Sequence, residues 1–374
     1  MITRSIARVI EIKSVWDGAV EVIVDSGETK NIKALAYPDL VGTPLVGQNV
    51  LLNTTALDKG LGTGGYAFVI AILDPNAHHK EVLAKGHLVK ARYTPLQNMV
   101  LGVDEQDSEF HSILKDADDL NQMPVVVADL HSALPAILTG IRSLNPLLKV
   151  AYILTDGGAL PAWFSRSVAT LRREDWIECC ISAGQAFGGD LEAVNVHTAL
   201  LASKLVVKAD LAIVIQGPGN LGTGTTWGFS GVAAGEAINA VNSLNGRAIG
   251  ALRVSGGDSR TRHLGVSHHS LTAYGKVALS GATIVSTDLS VFETTFADLP
   301  IPLSDLADSI TPQLEKMGEL NKRLDFVSYD LHGGIVEQLA NGPVRLSTMG
   351  RGLNQDPAAF LFSAAAGAYA ASQV

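Results

Sequence analysis

The chain has 374 residues, of which 17% are charged and 47% hydrophobic. A globular chain of that length buries roughly three quarters of its unfolded surface, enough for one large domain and a smaller companion. The formal net charge of −9, with no long Lys/Arg run, excludes the basic footprint that a phosphate backbone demands, so no nucleic-acid partner is expected.

The charged fraction falls below the usual value of about 25%, which predicts a homo-oligomer with part of its surface covered. The opening MITRSIARVIEIKSVWDG alternates like a strand, carries Glu11 and lacks the apolar centre of a secretory signal. The alanine-rich stretch from Pro357 to Val374 has too little hydrophobicity to span a bilayer and reads as a buried final helix. No membrane partner is expected, and the location is read as cytoplasmic. Cys179 and Cys180 are neighbours in an apolar run, where a vicinal disulfide would be strained and a buried thiol inert, which suits a reducing compartment.

In chain order, residues 1–75 read as a small all-β module, a β-barrel or β-sandwich. The short apolar runs ARVIEI, AVEVIV, NIKAL, NVLLN and YAFVIAIL are separated by turn signals such as Trp16-Asp17-Gly18 and Asp25-Ser26-Gly27. Gly60-Leu61-Gly62-Thr63-Gly64-Gly65 reads as a turn in a β-hairpin, or as a lid over the larger domain. Asp74-Pro75-Asn76 then breaks the pattern. Residues 76–122 read as a β-hairpin, GHLVKARYT with NMVLGV, and an acidic connector.

From Met123 to the end, apolar runs alternate with helical stretches, the signature of an α/β domain with a mostly parallel sheet. The eight runs are VVVADL, VAYILT, IECCISA, ADLAIVIQ, RAIGALRVS, ATIVSTD, FVSYD and RLSTM. Eight units also suit a βα barrel, but the short last unit and uneven connections favour an open, doubly wound, Rossmann-like sheet. The unusual residues cluster where these runs end: Asp129 and His131, Asp156-Gly157-Gly158, GGDLEAVN from Gly188, the long loop from Gly217, and GGDSRTRHLGVSHHS from Gly256. Parallel strands carry all such ends to one edge of the sheet, where α/β proteins bind ligands.

Gly217, Gly219 and Gly222 match G-x-G-x-x-G after a predicted strand. The motif follows the domain's fourth strand, a second glycine-rich stretch delays the helix, and no acidic residue ends a strand about twenty residues on, so a dinucleotide fingerprint is not supported. The overlapping frame from Gly219 to Thr226 has threonine where a P-loop has lysine. What is expected instead is an anion-binding concavity built from glycine amides, including Gly224, and the hydroxyls of Thr223, Thr225 and Thr226. Gly228-Phe229-Ser230-Gly231 misses the nucleophile-elbow pattern by one glycine, so no hydrolase serine is assigned.

A second constellation comprises Arg253, Ser255, Asp258, Arg260, Arg262, His263, His268 and His269. Three arginines against one aspartate make the loop locally positive and favour an anionic ligand. The histidines suit acid–base chemistry or hydrogen bonding to substrate, and metal binding stays open, although their spacing fits no HExxH or Cys/His zinc pattern and adjacent histidines seldom both face one ion. Asp156, Asp190 and Glu192 lie beside glycines where burial can raise a carboxyl pKa, and Asp190 equally suits a helix N-cap. Proton-transfer candidates are therefore His263, His268, His269, Asp156 and Asp190. Ligand-contact candidates are the Gly217–Thr225 loop with Ser255, Asp258, Arg260, Arg262, His131, Glu192 and Asn195. His131 and His332 share an Asp-Leu-His context.

The segments LLNTTALDKGLGTGGYAFVIA, KARYTPLQ, LTDGGALP, FGGDLEAVNVHTAL, GPGNLGTGTTWGFSG and LRVSGGDSRTRHLGVSHHS closely resemble the bacterial family known as domain of unknown function 3866. The resemblance runs through nearly the whole chain and implies a cytosolic bacterial protein, with no activity assigned. Three readings follow from the strand-end argument: an enzyme acting on a small anionic metabolite, phosphorylated or not; a metal-dependent hydrolase; or a non-catalytic ligand-binding or scaffold protein. No cofactor is named by the sequence.

Overall fold

The computed structural model describes residues 2–61, 64–73 and 85–374. Gly62 and Thr63 of the proposed lid, and the Asp74-Pro75-Asn76 break, lie outside the described residues. Two compact units are present: Met1–Val100 with Trp163–Ala169, and Leu101–Ala162 with Thr170–Val374.

The smaller unit is a closed five-stranded barrel, as the alternating runs predict. Its strands are β1 (Arg4–Trp16), β2 (Ala19–Asp25), β3 (Ile32–Ala36), β4 (Asn49–Asn53) and β5 (Ala67–Ile72). One-turn helices α1 (Pro38–Val41) and α2 (Thr55–Asp58) fall between strands. The strand order is β1-β2-β3-β5-β4, and β1 closes the ring by pairing antiparallel with both β2 and β4. Alternate residues point inward, so Val9, Val22, Val24, Ala34, Val50, Leu52 and Val69 form the core. Two register shifts bend β1. The predicted Asp25-Ser26-Gly27 turn forms, with Asp25 Oδ1 accepting from Gly27 N at 2.7 Å and Gly27 at φ +84°. Trp163–Ala169 joins this unit through Trp16 Nε1, which donates to Trp163 O at 2.7 Å, and Arg166, which covers the Trp16 ring and pairs with the buried Glu21. Strands β6 (Leu88–Lys90) and β7 (Asn98–Val100) make the expected antiparallel hairpin.

In the larger unit, the polar stretch after Val103 holds the one-turn helix α3 (His111–Leu114) and contributes Val103, Leu114 and Leu120 to the core. The sheet has eight strands: β8 (Pro124–Ala128), β9 (Val150–Thr155), β10 (Cys179–Ala183), β11 (Leu191–Ala193), β12 (Leu211–Gln216), β13 (Arg247–Ala251), β16 (Ala282–Ser286) and β17 (Leu324–Ser328). Between β13 and β16 a small hairpin of β14 (Val254–Ser255) and β15 (Gly265–Val266) forms. All neighbouring pairs in the large sheet are parallel. The interior strands β8, β10 and β12, each with a neighbour on both sides, are buried along their whole length, which explains why they read as continuous apolar runs.

Two expectations need correction. RLSTM is not a strand: Thr348 and Arg351 form only an isolated bridge there. The eighth strand is β11, inside the segment read as a loop, where Glu192 alternates against β10 and its outer edge is met by Gly102. Three residues are too few to display a period, so only the pairing reveals the strand.

The order β11-β10-β9-β12-β8-β13-β16-β17 is that of an open sheet, which decides against the βα barrel. From β8 the chain crosses β12 to reach β9 and continues to β11; from β12 it crosses β8 to reach β13 and continues to β17. Right-handed crossovers running in opposite directions put α4 (Leu134–Leu144) and α5 (Arg166–Arg173) on one face and α6 (Val196–Leu205), α7 (Ala233–Ser243), α8 (His268–Thr272) and α9 (Leu303–Leu320) on the other. Neighbouring strands therefore send their chains apart at two places, between β9 and β12 and between β8 and β13, and each is a topological switch point.

After α10 (Ile335–Ala340), the final helix α11 (Pro357–Ala371) is buried nearly all round and packs on α4. The two backbones come very close. A Cβ on Gly140 would lie 1.9 Å from Ala364 O, and one on Gly367 would lie 1.9 Å from Ile137 O. Among the described residues, no helix is long and apolar enough to cross a membrane. Because backbone cannot yield as a flexible side chain would, Gly367→Ala is expected to destabilise the chain by about 1–3 kcal/mol, read as a lower urea midpoint with an unchanged slope. An unchanged midpoint would mean that the helices separate freely.

Candidate active site

Both switch points open beside the end of β8. One cleft is lined by residues following β8 and β13, including Asp129, Arg253, Ser255 and Asp258, together with Arg351 and Asp356. The other is a cavity of about 280 Å³ between the ends of β9 and β12, lined by Asp129, Thr155, Asp156, Gly157, Asn195 and Gln216 among others. Asp129 belongs to both.

Asp129 is only 3% exposed, and a carboxylate so placed needs partners. Its Oδ2 lies 3.1 Å from His269 Nδ1 and 3.8 Å from Arg253 Nη1, and the same Nη1 is 3.0 Å from His269 Nδ1. His269 stacks flat on Phe229, with centroids 3.8 Å apart and planes 6° from parallel. The imidazole is thus clamped on its face by an aromatic ring and at its edge by an ion pair.

Its helix is pinned at the start. Ser267 caps α8 by accepting from His269 N at 3.2 Å, and its Oγ is also 2.7 Å from His263 Nδ1. Arg253 N donates to Ser270 Oγ and Arg253 O accepts from Ser267 N, stitching the end of β13 to the same turn. Beyond Thr272 the helix widens into a π-helical turn, Ala273–Val277, where Tyr274 OH donates towards Val127 O and Ala251 O at 2.9 and 3.0 Å. Such turns recur beside functional sites.

The outcome is a cluster of three imidazoles. One ligand atom from each of His263, His268 and His269 lies within 4.8 Å of the others. Although adjacent histidines seldom face one ion, the first turn of α8 brings both His268 and His269 against His263, with ring centroids 4.5–5.0 Å apart. His268 Nε2 is buried with no hydrogen-bond partner among the described residues. Burial, helped by Arg253 and Arg260, pulls the His263 pKa down to about 3; burial, helped by His269 and Arg262, pulls His268 to about 4. Both imidazoles are therefore neutral at pH 7, with lone pairs available.

The loop's positive charge is met partly from elsewhere, by Asp129 on Arg253, and partly within the loop itself. Arg260 grips Asp258 with two hydrogen bonds of 2.9 and 2.7 Å, which hold that carboxyl well below the usual range despite its burial. Arg351 pairs with Asp356, whose carboxylate also accepts from Ser255 Oγ and Gly256 N. Asp356 lies 101 residues from Ser255, so no local count of charge reveals it. Among the described residues Arg262 has no ion pair; it is exposed and its guanidinium lies about one side chain from Gly224.

The Gly217 loop is a hairpin-like excursion and does not run directly into a helix start. Gly222 bridges Phe229, Leu221–Trp227 are exposed, and Thr223, Thr225 and Gly228 hydrogen-bond to one another. Gly219 and Gly224 supply positive φ angles of 95° and 80°. Gly217 serves close packing: a Cβ there would lie 2.4 Å from Ala159 O, and one on Gly158 would lie 2.0 Å from Gly217 O.

The remaining predicted residues separate. Asp156 is on the rim, accepting from Gln185 N at 2.8 Å, and Asn195 is the N-cap of α6 at the cavity edge. Glu192 is buried on β11 and accepts from Ser182 Oγ and Gly188 N. Asp190 is a correction: it pairs with Arg172 and accepts from Cys180 N, beside the start of β10 and away from the strand ends. The cause is β11, since a parallel neighbour forces the chain back down before it rises again. His131 sits after β8 with Nδ1 3.0 Å from Tyr152 OH, while His332 is exposed and accepts from Gly334 N, so the shared tripeptide marks no shared site. Cys179 and Cys180 are free thiols whose pKa burial pushes up, for Cys179 to about 12, which makes them poor nucleophiles. Asp129, Arg253, Gln216 and Phe229 are the site residues under-weighted by sequence reasoning; Asp129 at the end of the first strand was the available signal.

Burial also pulls His131 down to about 4 from an ordinary 6.5. Above the ordinary value neither folded nor unfolded chain binds the proton. Between about 6.5 and 4 the unfolded chain takes up protons that the folded one refuses, so stability falls with pH and levels off below. Urea midpoints measured across this window are expected to decline on acidification, with a shallower decline in His131→Gln; a flat profile would contradict the buried, neutral state.

The family model described as protein of unknown function, DUF3866, matches residues 33–367. No curated protein and no solved structure matches the chain. With nine-tenths of its length so matched, the chain belongs to the DUF3866 family.

Proposed function

We propose that the chain is a metal-dependent hydrolytic enzyme whose ion is held by His263, His268 and His269. The observation that carries this reading is the approach of three imidazole ligand atoms to within 4.8 Å of one another. Three histidines with a fourth position left for water make a zinc-type catalytic ligand set, and imidazoles also suit iron, nickel or copper. The tautomer in which His269 Nδ1–H donates to Asp129 and His263 Nδ1–H donates to Ser267 Oγ leaves each Nε2 free to ligate, and it requires Arg253 Nη1, 3.0 Å from the same His269 Nδ1, to donate to the Asp129 carboxylate instead. A carboxylate behind a ligating histidine both orients the ring and raises its basicity. Such an ion lowers the pKa of its water to about 7 and so supplies hydroxide at neutral pH.

The anionic-metabolite expectation enters this reading through Arg262 beside Gly224, a cation without an ion pair among the described residues, next to the hydroxyls of Thr223 and Thr225. In this assignment Arg262 attracts an anionic group of the substrate, Arg253 and Asp129 set the orientation of His269, and Arg260 with Asp258 is structural. Exposed Ile6, Ile10 and Val15 on β1, with the low charged fraction, support the expected self-association.

Elemental analysis of protein purified without chelator is expected to find about one transition-metal ion per chain, lost in His268→Ala and His263→Ala. Re-adding zinc at a hundred times its Kd to stripped protein is expected to stabilise it by about 2.7 kcal/mol. A chain that carries no metal and shows no thermal shift with zinc, manganese, iron, nickel or copper would remove the proposal.

A further inference from the structure

We infer that the cavity between the ends of β9 and β12 is a binding site for the hydrogen-bond-donating end of a small ligand, one presenting hydroxyl or amino groups and no negative charge. This goes beyond the metal reading and stands without it. The cavity's volume of about 280 Å³ lies near the lower end of the range for small-molecule sites.

The first observation is Gln216. Its side chain is on the last residue of β12, the residue is 4% exposed, and Nε2 donates to Asp129 O at 2.7 Å. That bond fixes the carboxamide, because the flipped amide would set its oxygen against the same carbonyl oxygen. Oε1 is then buried and has no hydrogen-bond partner among the described residues. A buried acceptor left unpaired costs roughly 1–3 kcal/mol, and a ligand N–H or O–H removes that cost.

The second observation is that the backbone beside this oxygen carries no side chain. A Cβ on Gly157 would sit 2.4 Å from Gln216 Oε1, and one on Gly184 would sit 2.5 Å from Asp156 Oδ2. Glycine at 157 keeps a methyl group off the unpaired oxygen, whereas Asp156 Oδ2 already accepts from Gln185 N. The third is charge. Asp129, Asp156 and Glu236 line the cavity and, among the described residues, neither lysine nor arginine does. Asp129 is already met by Arg253 and His269, but an anionic group entering here faces Asp156 and Glu236 with no lysine or arginine among the described lining residues to offset them, whereas an amine or a polyol finds acceptors. The cavity thus has the opposite preference to the surface around Arg262.

The test is isothermal titration of the full chain, with and without chelator, using ribose and glucose as hydroxyl probes, ethanolamine and putrescine as amine probes, and acetate and inorganic phosphate as anionic controls. At least one donor arm is expected to bind saturably, and which arm binds identifies the donor. Gln216→Met, which keeps the side chain's length and removes both the Oε1 acceptor and the Nε2–H donated to Asp129 O, is expected to weaken that binding about tenfold, the usual effect of one lost hydrogen bond to a buried group. Gly157→Ala is expected to do the same; if it does not fold, Gln216→Met alone decides. Metal content of Gln216→Met is expected to equal that of the parent, so loss of the ligand site and loss of the metal site are read separately. Binding by the anionic controls alone, by none of the probes, or with undiminished affinity in Gln216→Met would overturn the inference.

Discussion

Asp129 leaves the central strand of the sheet with its carboxylate almost wholly out of water. A lone charge in that position costs several kcal/mol, and the surrounding structure is largely the set of groups that offsets this cost. Arg253 comes from the end of the adjacent strand, His269 from the first turn of the following helix, and Gln216 lies on Asp129's carbonyl from the other side. Removing the carboxylate would leave Arg253 buried and the tautomer of His269 undirected. One acidic side chain therefore couples the imidazole cluster to the neighbouring cavity.

That coupling follows from topology. Because β8 lies between β12 and β13 while its own chain departs towards β9, the residue after β8 borders both switch points. The cleft towards β13 collects arginines, aspartates and histidines; the cavity towards β9 collects amides, hydroxyls and carboxylates. Glycines at 158 and 217 let the loops around the second of these approach within backbone contact, and those at 157 and 184 admit the side chains of Gln216 and Asp156. Gly217 also opens a G-x-G-x-x-G pattern, yet in the fold its role is the absence of a Cβ.

Charge at the rim is organised in the same way. Arg253 meets Asp129 and Arg351 reaches Asp258 from distant parts of the chain, while Arg260 is paired inside its own loop and Arg351 also with nearby Asp356, so much of the charge in a segment that reads as basic is paired in place. Neutral imidazoles sit at the centre of this arrangement, kept uncharged by burial and by the arginines nearby. A site of neutral nitrogen ligands, backed by a carboxylate and a hydroxyl, is suited to a cation that binds through lone pairs and needs no bulk negative field.

Periodicity and turn chemistry by themselves determined the barrel strands, the parallel sheet, its helices and the buried last helix, because each of those elements shows its burial as a local pattern of apolar residues. The strand-end rule likewise put His263, His268 and His269 at the edge where the strands end, and the resemblance carried by long glycine- and histidine-containing segments marked the family. Tertiary structure decided the rest. Leu191–Ala193 is too short to carry a period and became a strand only by pairing with β10, and that pairing took Asp190 away from the rim. Asp356 and Arg351 joined the site from the far end of the chain, and Asp129 became its centre because of strand order, which no local reading contains. Local sequence encodes what each segment buries, whereas the partners of a buried charge are set by which segments the fold makes neighbours.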